Sequence, residues 1–92
     1  MEAIIIKPNE ENVEVGERDN PFELEELQKL VGGLIEVVPQ WTWGVGHKLM
    51  VVNEEGLLLD LPYNVKATDL LKRFNPYGIR GTAVLMDEGL LE

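Results

Sequence analysis

Residues 20–39 constrain the fold more than any other stretch, because they predict a helix, its end and a strand in direct succession. Asn20 suits the N-cap, Pro21 suits the first helical position, and Glu23 completes a capping box. Apolar side chains recur at helical spacing, and paired glycines then supply the positive φ of a helix C-terminus. The β-branched run that follows predicts a strand ending at Pro39, which lacks a backbone donor. The apolar residues expected to face the core are Leu24, Leu27, Leu30 and Val31.

The N-terminal segment predicts a strand and a loop. Residues 2–7 contain an isoleucine run that suits burial on both faces, so we expect this strand to lie inside the sheet. Residues 9–19 are polar and predict a surface loop. The alternative is a short strand or hairpin arm anchored by Val13 and Val15.

The middle of the chain predicts a β-hairpin. Two apolar runs, residues 48–52 and 57–61, flank a four-residue loop. Gly56 is expected to close that loop in a left-handed conformation.

A second helix is predicted in the C-terminal third. Asn64 or Thr68 caps it, and the apolar side chains after the cap are expected to face inward. These inward-facing residues are Leu70, Leu71 and Phe74.

The chain ends with a predicted strand over residues 79–86, which Gly81 interrupts as a bulge or a close backbone approach, and with frayed residues 87–92. Together the elements predict one α+β domain over residues 1–92. We expect a small mixed or mostly antiparallel sheet of about five strands with two helices, in the order β-α-β-β-β-α-β.

Composition excludes several kinds of chemistry. The 92 residues include no cysteine, no serine and one histidine, which removes disulfides, cysteine zinc sites and Ser or Cys nucleophiles. We therefore expect no enzyme, no catalytic residues, no metal and no cofactor. The formal net charge of −9 disfavours direct nucleic-acid binding. Without a signal peptide or a membrane-spanning run, we expect a cytoplasmic protein without membrane contact.

Negative charge is concentrated in residues 10–26, where eight carboxylates accompany a single arginine. Such a surface can imitate a nucleic-acid backbone and attract a basic protein. The alternative is a solvated loop followed by a helix N-terminus that favours negative charge. The candidates for this acidic surface are Glu10, Glu11, Glu14, Glu17, Glu23, Glu25 and Glu26.

A second candidate site combines aromatic and polar residues. Trp41 and Trp43 offer flat apolar faces in a glycine-rich loop, although a tryptophan in a small domain also commonly fills the core. The amides and the guanidinium farther along the chain supply polar contacts for a ligand. The partner- or ligand-binding candidates are Trp41, Trp43, His47, Asn53, Asn64 and Arg80.

Four blocks of sequence support a family resemblance. They are residues 27–38, Val52-Asn53-Glu54-Glu55-Gly56, Leu61-Pro62-Tyr63-Asn64 with Ala67-Thr68, and Ile79-Arg80-Gly81-Thr82-Ala83-Val84. In this order they resemble a family of small domains from phages, plasmids and other mobile elements, domain of unknown function 3846. The resemblance implies a phage or mobile-element accessory protein acting on a host or viral macromolecule, and it supplies no catalytic residues.

We therefore expect a non-enzymatic protein that binds a host or viral protein through the acidic surface or the tryptophan loop. The alternative is a small-ligand binding protein of the nucleotide type. The oligomeric state stays open, and a homodimer is one option because the predicted hairpin leaves a strand edge that a second copy can pair with.

Overall fold

The computed structural model describes residues 1–9, 13–38, 48–71 and 78–91, and these form five strands, two α-helices and a short 3-10 helix. The strands are β1 (Glu2–Ile6), β2 (Glu14–Glu17), β3 (Ile35–Val38), β4 (Lys48–Asn53) and β5 (Ala83–Asp87). The helices are α1 (Leu24–Val31), α2 (Val65–Leu71) and the 3-10 helix Glu88–Leu90. All neighbouring strands are antiparallel, in the sheet order β2-β1-β5-β4-β3. The predicted α+β class, with five strands and two helices, is confirmed.

The central strands are buried on both faces, which explains their continuous apolar sequences. Alternate residues of β4 and β5 point to opposite sides of the sheet. On one side Leu27 and Val31 of α1 pack with Leu49, Val51, Val84 and Met86. On the other side Ala67 of α2 packs with Met50, Val52, Ala83 and Leu85. The two helices therefore cover opposite faces. β1 lies between β2 and β5, so its predicted place inside the sheet is confirmed.

Helix α1 begins later than its sequence predicts. Its N-cap is Glu23, not Asn20, because Phe22 forms an isolated parallel bridge with Leu91 and its N–H donates to the Leu90 carbonyl at 2.8 Å. The later start also leaves Leu24 55% exposed, so its predicted place in the core is wrong. The predicted glycine C-cap is confirmed at Gly32, where φ is 82°.

The predicted hairpin over residues 48–61 is wrong. Both edges of β4 are already occupied, by β3 and by β5, so no edge is available to residues 57–61. These residues form a turn instead, in which the Leu59 N–H donates to the Glu55 carbonyl at 2.8 Å. Gly56 does not take the predicted left-handed conformation. A Cβ at this glycine would lie 2.8 Å from the Arg80 carbonyl oxygen, so close backbone approach is what requires it.

The fifth strand comes instead from residues 14–17, where the surface loop was predicted and a short strand was the alternative. This segment has the sequence Glu-Val-Gly-Glu and all four residues are exposed, as suits an edge strand. The observed order along the chain is therefore β-β-α-β-β-α-β, with one strand before α1 in place of the strand expected after β4.

The C-terminal elements partly follow their predictions. Asn64 caps α2, because its Oδ1 accepts the Ala67 N–H at 3.1 Å. Leu70 is exposed, so its predicted inward orientation is wrong. The close approach predicted at Gly81 is confirmed, since φ is 85° and a Cβ would lie 2.9 Å from Leu61 Cδ1. The prediction that residues 87–92 fray is wrong, because Leu90 has 0% exposure.

None of the helices among the described residues has the length and apolar character needed to cross a membrane.

Candidate functional site

Arg18 holds the end of β2 against the start of α1. Its Nη1 and Nη2 donate to the two carboxylate oxygens of Glu26 at 3.2 and 3.1 Å. Its Nε donates to the Asn20 carbonyl at 2.8 Å, and the guanidinium carbon lies 3.9 Å from the centre of the Phe22 ring. The arginine is therefore engaged on several sides by its own chain.

The carboxylates around Arg18 remain at the surface. Residues 13–26 carry six acidic side chains and one basic side chain, a net charge of −5. Glu14 forms an exposed ion pair with Lys7, and Glu17 forms one with the N-terminal ammonium, both at 3.4 Å. Exposed pairs of this kind contribute little to stability and separate easily. Asp19, Glu23 and Glu25 form no ion pair with another described residue. We call this surface the acidic edge, comprising Glu14, Glu17, Asp19, Glu23 and Glu25.

A groove of about 310 Å³ lies beside the acidic edge. It is lined by residues of the outer strands β1 and β2, by Arg18 and by Phe22. Its apolar lining comes from Ala3, Ile5, Gly16 and Phe22, and its polar lining from Glu14, Glu17 and Arg18; Val15 also borders it. The groove therefore combines an apolar floor with carboxylates at its rim.

Glu26 is the residue here whose ionisation is shifted. Its pKa lies below the ordinary value of 4.5, because Arg18 and then the Glu23 backbone N–H donate hydrogen bonds to the carboxylate. A lowered pKa in the folded state stabilises the fold above pH 4.5, and this contribution is lost as the pH falls through the lower folded-state pKa.

Glu26→Gln is accordingly expected to lower the melting temperature at neutral pH, and the deficit should shrink as the pH falls well below 4.5. Melting curves of the variant and the parent across this pH range measure it. Glu25→Gln removes the neighbouring carboxylate without touching Arg18 and serves as the control. A Glu26→Gln deficit that stays constant with pH would contradict the role of this pair.

Two amides proposed as ligand contacts are bonded within the fold. Asn53 is buried, and its Nδ2 donates to the Val31 carbonyl at 3.0 Å while its Oδ1 accepts the Glu55 N–H at 2.7 Å. It thereby joins the end of α1 to the turn after β4. Asn64 is buried at the start of α2 and is bonded in a similar way. Both amides therefore have a structural role within the fold.

A second cleft, of about 240 Å³, is lined by Asn53 and Arg80 but not by Asn64. The Arg80 side chain is held in place within this cleft. Its Nη1 donates to Asp60 Oδ1 at 3.1 Å and to the Leu61 carbonyl at 3.2 Å. The Arg80 Nε is the one buried side-chain nitrogen or oxygen in the described part of the chain without a hydrogen-bond partner. Glu36 and Glu54 line the same cleft, so its charge is mixed.

The remaining candidates lie outside the described residues and stay predictions: Glu10, Glu11, Trp41, Trp43 and His47. Phe74 and the turn at residues 75–77 lie outside them as well. Within residues 1–9, 13–38, 48–71 and 78–91, no group of three or more His, Asp or Glu side chains converges on a metal position.

The groove was not indicated by the sequence, because its lining comes from β1, β2 and the segment before α1. The one available signal was the alternation of valine with glutamate in residues 13–15, which is typical of a half-exposed strand.

The fold and the site define an α+β protein with one helix on each face of an antiparallel sheet, and with its densest negative charge beside an open groove. The chain belongs to the family described as domain of unknown function (DUF3846), whose model matches residues 1–89. The suspected family is thereby confirmed. The searches of curated proteins and of solved structures found no match.

Proposed function

We propose that this protein is a non-enzymatic, cytoplasmic accessory protein of a phage or another mobile element, and that its acidic edge binds a basic surface of a host or viral protein. The observation that carries the proposal is the pairing of Arg18 with Glu26. Because this arginine is the only basic residue among residues 13–26, and because the ion pairs of Glu14 and Glu17 are exposed and weak, the acidic edge can attract an external cation. Charge complementarity of this kind raises association rates and selects partners.

The mobile-element context rests on the family resemblance. The tryptophan loop remains a second contact surface within the same proposal, since large aromatic side chains often anchor protein interfaces.

Small-ligand binding is the second candidate, and the unpartnered Nε of Arg80 favours it. The charge of the cleft opposes a nucleotide, however, because Glu36 and Glu54 repel phosphate groups. The Arg80 guanidinium is also partly occupied by Asp60. A basic protein therefore matches the acidic edge better than a nucleotide matches this cleft.

Removing three charges in Glu17→Gln/Glu23→Gln/Glu25→Gln is expected to weaken partner binding about tenfold, because each exposed charge pair contributes about 0.5 kcal/mol. Affinity capture from host lysate with mass spectrometry identifies the partner, and titration of the purified pair then measures its affinity. Binding of the parent protein should weaken as salt rises.

The matched control is Glu36→Gln/Glu54→Gln/Asp69→Asn, which removes the same charge from exposed positions outside the acidic edge. It should leave the affinity unchanged. Equal losses in the two triple variants, or binding of the parent that is insensitive to salt, would count against the proposal.

A further inference from the structure

We propose that the free edge of β2, with the groove that Phe22 lines, binds an extended basic segment of a partner protein as an added strand. This inference deepens the proposed function and rests on it. It assigns the mode of binding, in which backbone hydrogen bonds hold the segment and the groove receives one of its side chains.

The hydrogen-bonding pattern shows which backbone groups of β2 face outward. The Arg18 N–H donates to the Met1 carbonyl at 2.9 Å, and the register continues with Gly16 opposite Ala3. In an antiparallel pair, every second residue bonds to the same neighbour. The N–H and C=O groups of Val15 and Glu17 therefore point away from β1. β2 is the first strand in the sheet order, and no described residue pairs with this outer edge.

Gly16 leaves room for a side chain from the added strand. A Cβ at this glycine would have no atom within 4 Å, so the space above the strand is open. Ala3 and Ile5 continue the apolar floor toward the Phe22 ring. Val15 is 60% exposed and, by the alternation of strand side chains, lies on the opposite face, where a second apolar residue of the segment can pack.

The charge of the edge selects the occupant. A second copy of β2 would bring Glu14 and Glu17 against the same carboxylates, and like charges facing each other across strands destabilise the pair. A lysine or arginine of the added strand that faces Glu14 or Glu17 would instead form a favourable pair of opposite charges. Carboxylates on an edge strand commonly prevent indiscriminate pairing. Here the carboxylates favour pairing with a basic strand and disfavour pairing with an acidic one.

The direct test is titration of the ¹⁵N-labelled protein with a short blocked peptide of sequence Lys-Val-Val-Lys, which can place one lysine and one valine on each face opposite Glu14–Glu17. The amide signals of Val15 and Glu17 should shift most, because their outward N–H groups would gain hydrogen bonds. The matched peptide Glu-Val-Val-Glu should bind at least about tenfold more weakly. No shift at millimolar lysine peptide, or shifts centred away from β2, would overturn the proposal.

Two substitutions separate strand addition from general charge attraction, since both keep every carboxylate. Val15→Pro removes an outward donor without breaking a bond to β1, and proline is tolerated at such edge positions. Gly16→Leu fills the groove, where the open space accepts it. Each is expected to weaken binding of the lysine peptide at least about tenfold. Val65→Pro is the matched control, because an exposed valine at the first position of α2 tolerates proline.

Circular dichroism establishes whether each variant is folded. If Val15→Pro does not fold, the affinity of Gly16→Leu for the lysine peptide alone tests strand addition. Parent-like affinity for the lysine peptide in a folded variant overturns strand addition. The proposed function would survive that result if the three-charge variant still lost the captured partner. If that variant keeps the partner while Gly16→Leu loses the peptide, the proposed function fails and the edge stands as a peptide site.

Discussion

Asn64→Ala is expected to lower the free energy of unfolding by about 3 kcal/mol. The side chain is 1% exposed, and its Nδ2 donates to the carbonyls of Ile6 and Gly81 at 2.8 and 2.9 Å. Its Oδ1 accepts the Ala67 N–H at 3.1 Å. Alanine removes the cap of α2, at a cost of about 1 kcal/mol, and leaves two buried carbonyls without this donor, at about 1 kcal/mol each.

Urea unfolding followed by circular dichroism measures this change. Asn20→Ala is the control, because sequence pattern makes Asn20 an equally good cap whereas the structure leaves it exposed and outside α1. Its expected effect is below about 0.5 kcal/mol. Similar losses in the two variants would contradict the role of Asn64.

The cap at Asn64 was predictable, whereas its place in the fold was not. An asparagine before a short apolar helix is a local signal, and a local hydrogen bond satisfies it. The bonds to Ile6 and Gly81 span 58 and 17 residues, and no periodicity encodes contacts at such separations.

Two errors in the predicted elements have the same physical origin. The capping pattern at Asn20 was overridden because Phe22 pairs with Leu91 at the other end of the chain. The apolar run at residues 57–61 has the composition of a strand, but it cannot pair with β4 because β3 and β5 occupy both edges of that strand. In both cases, pairing between distant segments determined the structure and overrode the preference of the local sequence.

The candidate site shows the same division. The clustering of negative charge could be predicted from the sequence, because side chains that lie close together in residues 13–26 also lie close in space. The internal pairing of Arg18 with Glu26 did not follow, and it determines which carboxylates remain available. The groove required the fold, because β1 is brought beside β2 and Phe22 only by the sheet and the C-terminal bridge.

The buried C-terminal segment carries the second large effect. Leu90→Ala is expected to lower the free energy of unfolding by about 3 kcal/mol, because it removes most of a fully buried side chain and leaves a cavity. Leu90 has 0% exposure and belongs to the same core cluster as Phe22 and Val31. Its carbonyl also accepts the Phe22 N–H, so side chain and backbone both fix the segment whose Phe22 lines the groove.

The measurement is again urea unfolding, with Leu58→Ala as the matched control. Leu58 is 79% exposed in the turn after β4, so shortening it should change the free energy of unfolding by less than about 0.5 kcal/mol. Had residues 57–61 formed the predicted strand and residues 87–92 frayed, the order of the two effects would be reversed. A larger loss at Leu58 than at Leu90 would therefore contradict both the turn and the anchored C-terminus, and with them the support of Phe22 beneath the groove.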